Sequence, residues 1–141
     1  MPIVARWNFH ELLSRKSVGV VTESIQALHV DKKGQARLER AIDQLRQLPK
    51  TSWSKPNPAS NVGNHTYVIR YTDTSNKQLR VFGHFHDEHT CFVMTLTGYE
   101  KDNVYYPNNY QDLAQTNRGS CAGNFSSKTV RFRHYCALCQ I

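Results

Sequence analysis

Residues 66–101 read TYVIRYTDTSNKQLRVFGHFHDEHTCFVMTLTGYEK, and the fold turns on this stretch. Three runs rich in β-branched and aromatic residues, 66–71, 78–86 and 90–97, are separated by Asp73-Thr74-Ser75-Asn76 and by Asp87-Glu88, which is turn chemistry. Links this short predict antiparallel neighbours, hence a three-stranded meander. In the second run Val81, Gly83 and Phe85 alternate with Arg80, Phe82, His84 and His86, and in the third Phe92, Met94 and Leu96 alternate with Cys91, Val93, Thr95 and Thr97. Successive strand side chains point to opposite faces. One face is therefore expected to meet helices and the other to lie open, carrying Arg and His.

Toward the N-terminus, helical signals precede the meander. Residues 33–48 place Leu38, Ala41, Ile42, Leu45 and Leu48 on one face, with Arg37, Glu39, Arg40, Asp43 and Arg46 toward water, and Pro49 stops the run. Asn8 followed by Glu11 fits a capping box and predicts a short helix that turns Leu12 and Leu13 inward. A further helical stretch is expected around 22–28. Residues 50–64, rich in Pro, Ser, Asn and Gly, read as a connector. Beyond the meander, 109–116 predicts a last short helix, 119–127 a loop and 129–138 a strand. The fold class is thus α+β, with N-terminal helices packed on one face of a small antiparallel sheet.

The chain has 141 residues, the size of one domain with one core, and residues 1–141 are read as a single domain, with a C-terminal extension after about 117 left open. Its net charge of +7 favours anionic partners, nucleic acid first. After Asp112 no acidic residue occurs, while Arg118, Lys128, Arg131 and Arg133 do. Nothing approaches the roughly 20 apolar residues needed to span a bilayer, and residues 1–9 lack a secretory apolar region. The cytoplasm is the expected location, with no membrane partner and with the four cysteines reduced.

Tyr67-Val68-Ile69-Arg70, Leu79-Arg80-Val81-Phe82 and Thr97-Gly98-Tyr99-Glu100-Lys101, in this order after the helices, resemble the RelE/HigB-like superfamily of bacterial type II toxin-antitoxin toxins. The resemblance covers roughly 33–114. It implies a RelE-like domain and an endoribonuclease that cuts messenger RNA on the ribosome without a metal or other cofactor, held inactive by a cognate antitoxin protein. The same fold hosts ParE-like inhibitors of gyrase, so fold alone does not select the activity. Tyr99 and Lys101 correspond to the family's aromatic and basic edge. Arg131-Phe132-Arg133-His134-Tyr135 is similar to the endings of ribosome-dependent members, where the His moves a proton and the Tyr stacks on a base. Here six residues follow Tyr135.

Cleavage without a metal needs a base for the 2′-OH, cations for the phosphorane and an acid for the 5′-oxygen. Arg80, His84 and His86 share a strand face, with Arg70 on the neighbouring strand. Arg grips phosphate in a bidentate manner, and His titrates close to neutrality. The catalytic candidates are His84, His86, His134 and Arg80; the RNA-binding candidates are Arg70, Tyr99, Lys101, Arg131, Arg133 and Tyr135. Solvated side chains and cross-strand pairs are the competing account of the same residues. For a metal, His84-x-His86-x2-His89 lacks a fourth ligand, whereas Cys121, His134, Cys136 and Cys139 contain one CxxC half of a zinc knuckle without the second. No phosphate-binding Gly-rich loop, nucleophile elbow or HExxH is present. A non-catalytic protein of the same fold, either a gyrase inhibitor or an RNA-binding module, is the second expectation.

Overall fold

The computed structural model describes residues 7–12, 20–63, 65–86, 91–120 and 125–126. In chain order these form β1 (Asn8–Leu12), α1 (Val20–Ala27), α2 (Lys32–Leu45), a short 3-10 turn (Lys50–Ser52), β2 (Ala59–Gly63), β3 (Thr66–Thr72), β4 (Gln78–His86), β5 (Cys91–Lys101), β6 (Val104–Tyr106), α3 (Tyr110–Ser120) and β7 (Phe125–Ser126). The fold is mixed α+β. The sheet runs β2-β3-β4-β5-β1-β7, with β6 also paired to β5.

The meander β3-β4-β5 is antiparallel throughout. The sheet as a whole is larger than the expected one and is not purely antiparallel, because β1 runs parallel to β5 with Phe9 opposite Phe92 and Glu11 opposite Met94. This corrects the helix expected at Asn8–Glu11. A local capping signal is outweighed by the long-range ladder and by burial of Phe9, His10, Glu11 and Leu12. Glu11 still caps a helix, though a later one. Its carboxylate accepts from Val21 N (3.1 Å), Thr22 N (3.0 Å) and Thr22 Oγ1 at the start of α1. Burial pushes the Glu11 carboxyl above its ordinary value, against the downward pull of these hydrogen bonds.

One face of the sheet packs on α1 and α2. Phe9, Ile69, Val81, Phe92 and Met94 share a core with Val21, Ile25, Leu38, Ala41, Ile42 and Leu45. The segment read as a connector contributes both Trp53, almost fully buried among Phe9, Phe85 and Phe92, and the edge strand β2. α2 starts at Asp31, whose side chain accepts from Gly34 N (2.7 Å), and ends at Leu45, one turn before Leu48. Within β5 the partners jump from Leu96, opposite Phe82, to Met94, opposite Gly83. Thr95 is thus the extra residue of a bulge, which reverses the alternation beyond it. Leu96 therefore does not continue the Phe92–Met94 series.

The second face is not open at the meander. Phe82 is fully buried, stacked on Tyr110 of α3 (4.9 Å between centroids) and edge-on to Tyr105 (5.7 Å). Arg80 and His84 on that face are buried as well. Among the described residues no helix is long and apolar enough to cross a membrane.

Candidate nucleic-acid interface

β5 continues past the expected end at Thr97 and turns back through Asp102-Asn103 into β6. Both turn residues have positive φ (54° and 64°), the pattern of a two-residue type I′ hairpin whose twist suits the strands. Gly98 permits the hairpin to close, because a Cβ there would collide with the carbonyl oxygen of Tyr106. The register sets Tyr99 opposite Tyr106, with their rings stacked at 5.1 Å and 15°. Tyr99 remains 43 % exposed and Lys101 stands exposed at the tip.

A groove flanks this aromatic pair on each side. One, of about 620 Å³, lies against α1 and is lined by Val20, Ala27, Leu28, Leu96, Tyr106 and Pro107 among others; the second, of about 520 Å³, is lined by Lys77, Leu79 and Lys101 among others. Leu28 and Tyr99 border both. Lys77 is fixed at the rim by Leu28 O (2.8 Å) and the Asp73 carboxylate (3.7 Å). A stacked tyrosine surface beside two ammonium groups has the chemistry for an unpaired base and its phosphate. Glu23, Glu100 and Asp102 also line the grooves, so the positive charge is confined to the rim.

The remaining candidates occupy different places. Arg70 lies directly opposite Arg80 in the β3–β4 ladder, but the two guanidinium groups are held by separate partners. Arg80 is bound through Nε and Nη2 to Glu100 Oε1 (3.3 and 3.1 Å), through Nη2 to Gln78 Oε1 (3.0 Å) and through Nη1 to Leu79 O (2.8 Å). Arg70 reaches back to β2 and its approach, donating to Ser60 Oγ (2.6 Å), Asn57 O (2.8 Å) and Ala59 O (3.3 Å). His84 pairs in register with Val93 and is only 3 % exposed; on the far side of Val93 lies the buried His10 of β1. His86 ends β4 opposite Cys91. His89, Cys121, Arg131, Arg133, His134, Tyr135, Cys136 and Cys139 lie outside the described residues. Among the described residues no three His, Cys, Asp or Glu side chains are grouped so as to hold a metal.

The structure adds residues that the sequence does not single out for a site. Tyr106 is one, and its signal was present: a Tyr pair that begins four residues after Lys101, across an Asp-Asn turn. Arg37 and Arg40 are others. With Arg70, Pro56, Pro58 and Thr72 they line a groove of about 440 Å³ between α2 and β3.

No family model, no curated protein and no solved structure matches this chain. The functional reading accordingly stands on these surfaces and on the sequence resemblance alone.

Proposed function

We propose that the protein is a RelE-like toxin, an endoribonuclease that cuts messenger RNA on the ribosome and is restrained by a cognate antitoxin. The observation that carries the proposal is the exposed Tyr99 stacked on Tyr106 beside Lys101. It falls on the Gly98-Tyr99-Glu100-Lys101 segment that also carries the family resemblance. The order of helices followed by an antiparallel meander supports the same reading.

In this mechanism a base ring stacks on Tyr99, and Lys101 draws the adjoining phosphate to the hairpin. A general base takes the 2′-OH proton, the 2′-oxygen attacks phosphorus, and the 5′-oxygen leaves with a proton from a general acid. The products are a 2′,3′-cyclic phosphate and a 5′-hydroxyl. We assign a proton transfer to His134, on the strength of the resemblance, since His84 is closed off by burial and His86 ends β4 opposite Cys91, at the far end of the strand from Leu79 and its partner Tyr99. Arg80 is assigned to bracing β4 against β5 through Glu100, not to the phosphate.

A second reading, RNA binding without cleavage, is favoured by one observation: among the described residues, no histidine lines either groove beside Tyr99. Purified protein added to ribosomes translating a defined messenger RNA separates the two. Cuts that end in 2′,3′-cyclic phosphate and persist in EDTA support the nuclease. Binding without any cut supports the second reading, and neither cut nor binding removes both.

A further inference from the structure

The geometry points to a second phosphate-binding surface, in the groove between α2 and β3, that grips the RNA backbone independently of sequence. Lys33, Arg37 and Arg40 follow one another at spacings of four and three residues on α2, which sets them along one face of the helix. At 1.5 Å per residue the stripe is about 10 Å long, close to the axial rise of three stacked nucleotides at about 3.4 Å each. Arg70, from β3, enters the same groove, and no carboxylate lines it.

The arginines differ in how they are held. Arg37 donates through Nη1 to Thr72 O (3.2 Å), Thr72 Oγ1 (3.1 Å) and Asp73 O (3.1 Å), so its exposed guanidinium is fixed in place while Nε and Nη2 stay available to a ligand. Arg70 is anchored through both terminal nitrogens, Nη1 to Ser60 Oγ and Nη2 to the Asn57 and Ala59 carbonyls, and supplies fixed positive charge. Asn57 also accepts from Gln44 Nε2 (2.9 Å) and donates to Ser52 O (2.8 Å), which ties the approach to β2 onto α2. Arg40 is exposed and has no hydrogen bond or ion pair among the described residues. On a proline-bearing wall, the pre-anchored Arg37 and the exposed Arg40 can take phosphate oxygens in a planar, bidentate hold, with Arg70 adding fixed charge and with little ordering of Arg37 left to do on binding. Guanidinium groups supply the charge of its lining, which suits a grip on the backbone rather than on base identity. This surface is separate from the Tyr99–Lys101 hairpin, and it rests on the proposed function only for the identity of the polyanion.

The test uses the whole protein and two 2′-O-methyl RNA oligomers of unrelated sequence, which lack the attacking hydroxyl and stay uncut. Affinities are followed by anisotropy across a salt series for wild type, Arg40→Glu, Lys32→Glu and Tyr99→Ala. Lys32→Glu makes the same charge change elsewhere on the α2 surface, and circular dichroism confirms that each variant is folded. The expected result is that Arg40→Glu weakens both RNAs by the same factor, about tenfold, and lowers the slope of log K against log salt by about 0.7 or more. Lys32→Glu should cost less than threefold. Equal affinity of Arg40→Glu and wild type, while Tyr99→Ala is impaired, overturns this groove and leaves the hairpin reading standing. Labelled poly-glutamate is titrated in the same way, and loss of its binding by Arg40→Glu without loss of RNA binding also overturns the groove as an RNA site, in favour of an acidic protein partner. If wild type binds neither RNA, the groove and the proposed function fall together.

Discussion

Replacing Glu11 by Ala should unfold the protein at a visibly lower denaturant concentration, although Glu11 lies on a strand and not in the capping box that its spacing from Asn8 suggests in sequence. The side chain is fully buried and satisfies two backbone N–H groups at the first turn of α1 as well as the Thr22 hydroxyl. Loss of a cap costs about 1–2 kcal/mol, and removal of the one buried methylene that Ala lacks, Cγ, costs about 0.8 kcal/mol more. The sum is about 2–3 kcal/mol, or a fall of roughly 1–2 M in the urea midpoint for an m-value of about 1–3 kcal/mol per molar. Glu11→Gln keeps the methylenes and one acceptor oxygen, so its cost at neutral pH should be below about 1 kcal/mol. The pair also carries a pH signature. Burial raises the folded carboxyl above its ordinary value of 4.5, so between those two values the folded state binds the extra proton. Stability contributed by this group is then fully present below about pH 4.5 and is lost as pH rises through the folded value. Urea titrations monitored by tryptophan fluorescence at several pH values should show wild type losing stability relative to Glu11→Gln as pH rises through that window. An unchanged midpoint for Glu11→Ala at pH 7, or a difference between wild type and Glu11→Gln that grows with pH, refutes the reasoning.

Gly83→Ala should destabilise by about 1–3 kcal/mol in the same assay, since a Cβ there lies 2.8 Å from two ring atoms of Phe92 and collides with the Val93 carbonyl. Arg80→Ala, which strands the Glu100 carboxylate, should cost about 2 kcal/mol, whereas Arg80→Met combined with Glu100→Leu, which replaces both partners, should be nearly neutral by unfolding midpoint. Substitution of Tyr99 by Ala should lower affinity for single-stranded RNA by about 1–3 kcal/mol, roughly 5- to 150-fold by anisotropy, and leave the unfolding midpoint within about 0.5 kcal/mol.

The parts of the fold that were legible are those whose patterns are local. The ranges of β3 and β4 follow from alternation bounded by Asp73–Asn76, and α2 from its 3.6-residue apolar spacing. Asn8–Leu12 was not legible, because its state depends on pairing with residues more than eighty positions away, while the capping signal beside it is local. The bulge at Thr95 hid the second half of β5, for the alternation reverses there without any change in composition. Burial of Arg80 and His84 was equally hidden, since the element covering that face, α3, begins four residues after Tyr106 and carries Tyr110 onto Phe82. At the candidate site, Tyr99 and Lys101 were visible through the resemblance. The Arg37–Arg40–Arg70 groove was not, because only the packing of α2 on β3 brings these residues together.

Inducible expression in a bacterial host, with growth and the 5′ ends of messenger RNA followed in the same cultures, bears on the proposed nuclease without intermediate steps. A ribosome-dependent toxin gives growth arrest within the first generations and new 5′ ends in frame with translated codons, both suppressed by the double substitution of Tyr99 and Lys101 by Ala. Normal growth with unaltered 5′ ends, in cells shown to contain the folded protein, contradicts the proposed nuclease.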